Sequence, residues 1–157
     1  MTIEIDSCSR DEPVIRMTHL LQAPRALVWT AFTRPEHVVR WYGGKGFTNP
    51  HCEMDVRPGG HWRHVMRTPD GAEHHLHFVF EEVVEPERLS WRAEAGVVGE
   101  PSAFNILTLG DFGKQTRVTF VSWFPSIADR ELALSWCFDR VLREGAERMD
   151  QLLATLL

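Results

Sequence analysis

From Leu134 onward, Leu134, Phe138, Val141, Gly145, Met149, Leu152 and Leu156 recur at steps of four, three, four, four, three and four. That spacing draws one stripe on an α-helix and predicts a helix from about Ala128 to the end of the chain. Arg140, Arg143, Glu144, Glu147, Arg148 and Asp150 cover its other faces. So long an amphipathic helix needs a broad apolar surface, and a mostly antiparallel sheet offers one. Gly145 lies inside the stripe, where it costs about 1 kcal/mol against alanine. Close approach of that turn to the sheet or to a ligand would account for it.

The rest of the chain supplies the sheet. Val14–Leu21 alternates as a strand, after a polar stretch at 1–12 that reads as a loose arm or short edge strand. Pro24 suits the first turn of a helix carrying Leu27, Val28, Ala31 and Phe32. Thr33 is placed to cap a second short helix, with Pro35 and Glu36 behind it and Gly43-Gly44 to stop it. The period then changes to two. Strands are expected at 47–56, 60–67, 73–84, 89–95, 104–109 and 115–124, separated by turns at Pro58-Gly59, Thr68–Gly71, Glu85–Arg88 and GDFGK, with a polar loop at 96–102. The fold class this predicts is α+β: a curved antiparallel sheet around a long C-terminal helix, with two short helices after the first strand. The arm is 1–12 and a single domain occupies 13–157.

Six tryptophans and nine phenylalanines fit such a design, because large rings fill a wide gap between sheet and helix or line a cavity there. The net charge of −5 and the lack of a Lys/Arg run argue against nucleic acid as a partner. Cys8, Cys52 and Cys137 form no CxxC pair and read as reduced thiols. The start MTIEIDSCSR has neither the basic residues nor the apolar core of a signal peptide, and no run suits a membrane span. The expected location is the cytoplasm, with no membrane partner.

Three stretches together carry a family resemblance: FTRPEHVVRWYGG, DVRPGGHWRHVMRTPDG and EEVVEPERLSW. With Trp41, Arg57-Pro58-Gly59-Gly60, Asp70-Gly71 and Pro86-Glu87-Arg88-Leu89 in this order, the chain resembles the Activator of Hsp90 ATPase homologue 1-like family, within the START-like or polyketide cyclase superfamily. The resemblance implies a helix-grip fold with a cavity between sheet and helix. It implies no particular activity, since related domains bind lipids, hormones or polyketides, or catalyse cyclisation or dehydration. One departure stands at the helix, where Gly145-Ala146 replaces the Gly-Trp often found in the family.

Within a helix-grip frame the leading expectation is an apolar cavity that takes a small hydrophobic or aromatic ligand. His64, Trp62 and Met66 share one strand face and are its expected wall, joined by Phe78 and Phe80. His61 then points outward with Arg63. Trp41 with Tyr42 would form a lid at the mouth opposite the 96–102 loop, or else anchor its helix. No cofactor and no metal is expected: His61, His64, His74, His75 and His77 could meet across a hairpin, but their spacing matches no metal motif. Glu53 and Asp55 share a face, about 7 Å apart by strand rise. Glu81 and Glu82 point to opposite faces, so one of them is expected inside, paired with Arg57, Arg63 or Arg92. An inward glutamate or His64 would serve the alternative of a cyclase, dehydratase or hydrolase. Another alternative is a co-chaperone-like interaction module with a chaperone as partner. A homodimer is compatible with either.

Overall fold

The computed structural model describes residues 3–94 and 103–157. In chain order the elements are β1 (Glu4–Asp6), β2 (Val14–Leu21), α1 (Arg25–Thr33), α2 (Pro35–Trp41), β3 (Thr48–Met54), β4 (His61–Arg67), β5 (Glu73–Val84), β6 (Arg88–Ala93), β7 (Phe104–Phe112), β8 (Gln115–Trp123), α3 (Ile127–Ser135) and α4 (Phe138–Leu156). The strands form one sheet in the order β1-β2-β8-β7-β6-β5-β4-β3, every neighbouring pair antiparallel. The meander from β3 to β8 therefore closes onto β2, and the curved sheet wraps α4 in a helix-grip fold. Part of the polar arm is the edge strand β1. The expected 96–102 loop lies outside the described residues.

The expected C-terminal helix is two helices. Ser126 caps α3 by accepting from the Asp129 amide, the helix ends at Ser135, and Cys137, left-handed with a φ of 63°, stands at the start of α4. Periodicity could not show this break, because Leu134 and Phe138 serve the same apolar cluster on either side of it. The buried Arg130 holds α3 in its own direction by donating to the carbonyls of Ser9 and Glu12 in the arm.

Two smaller expectations also change. Pro24 is the residue before the first turn of α1 rather than within it. Thr33 does not cap α2: its hydroxyl turns back to the Trp29 carbonyl of α1, and Arg34 occupies the cap position. A threonine in the last turn of one helix finds an acceptor there before it can serve the next.

Helices cover the concave face in two apolar clusters. The larger joins α1, α2 and the C-terminal half of α4 to β4–β8 through residues such as Val28, Val38, Phe80, Leu107 and Met149. The smaller gathers Ile15, Phe124 and Ala133, with Leu134, Phe138 and Leu142 packed on it.

Gly145 has its explanation in this packing. A Cβ there would stand 3.3 Å from the Gly43 carbonyl oxygen, so the helix approaches the turn after α2 rather than the sheet. Arg148, one turn on, donates to the carbonyls of Arg40, Tyr42 and Gly44 at 2.9–3.0 Å. Glu144 accepts from the Lys45 amide at 3.0 Å. The turn's orphan carbonyls are thus capped by a cation from another helix.

Candidate functional site

On β4 the side chains alternate strictly, so Trp62 and His64 are buried on the concave face while His61 is exposed on the convex one. Trp62 is the hub of an aromatic array. Its ring stacks on Phe80 at 6.0 Å and an 8° interplanar angle, and meets Phe78 at 4.9 Å, Trp91 at 5.6 Å and Tyr42 at 5.6 Å. Trp91 carries the array on to Phe120 at 5.9 Å. Three of the expected wall residues, Trp62, Phe78 and Phe80, are therefore brought together. Met66 is half-buried at the rim, with its sulfur facing the Gly43 turn. Trp41 acts as an anchor: its indole N–H donates to the Ala31 carbonyl at 2.9 Å, and its ring packs edge-on to Phe32.

His64 is fully committed. The Asn49 amide nitrogen donates to the carbonyls of Val39 and Tyr42, so its oxygen faces His64 and must accept from Nε2–H, at 2.7 Å. The other nitrogen, Nδ1, accepts from the Trp62 indole at 3.2 Å. Burial, helped by His51, pushes the His64 pKa down to about 4. The neutral ring has neither proton nor lone pair left for a substrate.

The remaining candidates disperse. The strand register puts His74 opposite Met66 and Leu76 opposite His64, so His74 is not the direct cross-strand partner of His64. On the convex face His61 Nδ1 and His77 Nε2 share a hydrogen bond of 2.8 Å. Among the described residues no group of three or more His, Cys, Asp or Glu side chains is arranged to hold a metal. Glu53 pairs with His51, and Asp55 with Arg57, both on the exposed face. Neither Glu81 nor Glu82 points inward, contrary to expectation. The register slips between Phe80 and Glu82, which turns both carboxylates to solvent, where they pair with Arg92 and Arg88. A bulge of this kind resets the alternation that the sequence reading relied on. Cys52 is partly buried and its thiol is pushed up to about 11 by that burial, which makes it a poor nucleophile.

Two polar features of the concave face lie outside the expected site residues. Ser122 donates to Asn105 at 2.8 Å, both buried on neighbouring strands. On β2, His19 is buried between Met17 and Leu21, and Asp150 of α4 accepts from its Nε2 at 2.9 and 3.0 Å. The signal was a polar residue in an inward register, since His19 has the parity of Ile15, Met17 and Leu21. A groove of about 420 Å³ opens where the junction of α1 and α2 meets the ends of β3 and β5, floored by Trp29, Met54, Val56 and Val83 of the larger apolar cluster and rimmed by Arg34, Glu36 and Glu85. No helix among the described residues is long and apolar enough to cross a membrane.

Solved structures share this architecture. A Nitrosomonas europaea protein superposes with a TM-score of 0.84 at 24% identity, covering 94% of this chain and 97% of its own. An Arthrobacter aurescens protein gives 0.87 at 20% identity, covering 98% and 91%. DynU16, from the dynemicin biosynthetic locus, gives 0.68 at 20% identity, covering 92% of this chain and 48% of its own. At these identities the likeness is one of fold. No curated protein matches the sequence. Residues 22–157 match the family described as Activator of Hsp90 ATPase homolog 1-like protein, and the chain belongs to that family.

Proposed function

We propose that the protein binds a small, largely apolar aromatic molecule in the concave space under α4, with Trp91 and Phe120 as the contact surface. Trp62, Phe78 and Phe80 form the wall behind them, and Met66 lies at the rim. Trp41 and His64 hold the surrounding frame rather than touch the ligand. The observation that carries this reading is Phe120. It sits on the inner face of β8, flanked by strands on both sides, and yet stays only half-buried. Its neighbours toward one end belong to the larger apolar cluster and those toward the other end to the smaller. The helices thus cover the sheet on both sides of Phe120 more completely than at Phe120 itself. Covering about 250 Å² of an aromatic ligand there yields about 6 kcal/mol, which sets an affinity ceiling of tens of micromolar from apolar burial alone.

The test is a methyl-resolved NMR titration with 2-methoxynaphthalene. Shifts at the methyls of Met17 and Leu107, which flank Phe120 on the concave face, and of Leu89 beyond Leu107 are the expected result. Shifts confined to Met54, Val56 and Val83 would move binding to the groove beside α1 and α2, and no shifts at all would end the small-molecule reading.

A further inference from the structure

We propose that His19 is the polar anchor of that concave site, and that the ligand it selects is a neutral aromatic carrying a hydroxyl or N–H donor. The inference rests on the reading of the concave space above and adds the chemical class of its occupant. It starts from the ring's two nitrogens. A carboxylate only accepts, so the nitrogen that faces both oxygens of Asp150 carries the proton. A ring that carries its one proton on Nε2 presents a lone pair at Nδ1. That Nδ1 is buried, and it is the one buried side-chain nitrogen or oxygen among the described residues with no hydrogen-bond partner. The fold satisfies comparable groups elsewhere on the same face. Both nitrogens of His64 are engaged, Ser122 and Asn105 answer one another, and Thr116 donates to the Ala23 carbonyl. Buried polar atoms in folded proteins are nearly always partnered, so an exception calls for a donor from outside the chain.

Position makes a ligand the source of that donor. The β2–β8 register sets His19 opposite Val118 and Met17 opposite Phe120, so His19 and Phe120 are diagonal neighbours on one face. Such neighbours lie about 7–8 Å apart, within the span of a fused two-ring aromatic and its substituent. A ring seated on Phe120 and Trp91 can therefore present a hydroxyl to His19. Asp150 also sets the sign of the charge preference. Its carboxylate is directly behind the imidazole and only part-exposed, so an anionic ligand is repelled while a neutral donor is accepted.

The experiment compares 2-naphthol, 2-methoxynaphthalene and 2-naphthoate with the full chain by calorimetry. The two neutral probes share a ring system, and only the naphthol can donate. Binding of 2-naphthol at least tenfold tighter than 2-methoxynaphthalene, with 2-naphthoate weakest, is expected, and His19→Phe should erase the naphthol preference. Because that variant can fail to fold, the same question is put to the wild type by 15N NMR: 2-naphthol should move the His19 Nδ1 resonance and leave both His64 nitrogens in place. Equal affinities with His19 unmoved would show that a water serves Nδ1, which overturns the anchor but leaves the concave site standing. Failure of both neutral probes to bind, with no shift at Met17, Leu89 or Leu107, would overturn the concave site and the anchor together.

Discussion

At the scale of single residues, burial turns His64 into a pH-dependent contribution to stability. Its folded pKa, pushed down to about 4 mainly by burial, lies below the 6.5 of an ordinary histidine. The unfolded chain therefore binds the proton first, and stability is lost as pH falls from about 6.5 to about 4, by about 3 kcal/mol if His64 acts alone. Urea unfolding across this range should show a steeper loss in the wild type than in His64→Gln. Parallel pH profiles would mean that the buried ring titrates as it does in the unfolded chain. Strand alternation alone puts His64 and His61 on opposite faces, and it does not say which face is the inner one. What alternation could not reveal is that His64 is satisfied and His19 is not. Their partners, Asn49 and Asp150, come from other elements, at separations of 15 and 131 residues. Parity tells which side chains share a face, and only the tertiary fold tells what waits there.

At the scale of elements, the contact of α4 with the turn after α2 decides how Gly145 responds to substitution. In an exposed helix an alanine would gain about 1 kcal/mol over glycine. Here the new methyl would press on the Gly43 carbonyl at 3.3 Å. That carbonyl has little freedom to retreat, because Arg148 grips the carbonyls of Tyr42 and Gly44 on either side of it. Gly145→Ala should therefore show no stabilisation in thermal or urea melts, and Gly145→Val should cost about 1–3 kcal/mol through overpacking. An alanine variant more stable by the full helix-propensity gain would show that the turn moves away freely. A glycine inside the helical stripe signals a close approach at Gly145, but nothing in a stripe names the loop it will meet. Turn chemistry exposed nearly all of the strand boundaries. The left-handed Cys137 stayed hidden because Leu134 and Phe138 keep the apolar pattern in phase across it, and the bulge at Glu81-Glu82 because a one-residue change of parity, from Phe80 to Val83, leaves no turn residue to mark it.

At the scale of the whole molecule, the division of the core predicts uneven stability. The sheet is continuous, but the helices that cover it belong to two apolar clusters, and among the described residues the smaller has only Ile15, Phe124 and Ala133 buried. α3 is held by that cluster and by the Arg130 hydrogen bonds to the arm, whereas Met149, Leu152 and Leu153 of α4 belong to the larger cluster. Regions with few buried apolar groups open locally at a lower free energy than the core. Amide hydrogen exchange should therefore find 127–135 and the first turn of α4 less protected than 149–153. The two parts of α4 should separate into distinct exchange classes although they are one helix. A ligand seated on Phe120 lies between the clusters and adds apolar contact to both. It stabilises only conformations that keep the seam closed, by an amount that grows with the logarithm of its concentration. Saturating 2-methoxynaphthalene should accordingly slow exchange in 127–135 and leave the convex-face loops unchanged. Equal protection along α3 and α4, unaffected by the probe, would mean that the two clusters unfold as one unit and that the seam is a feature of packing alone.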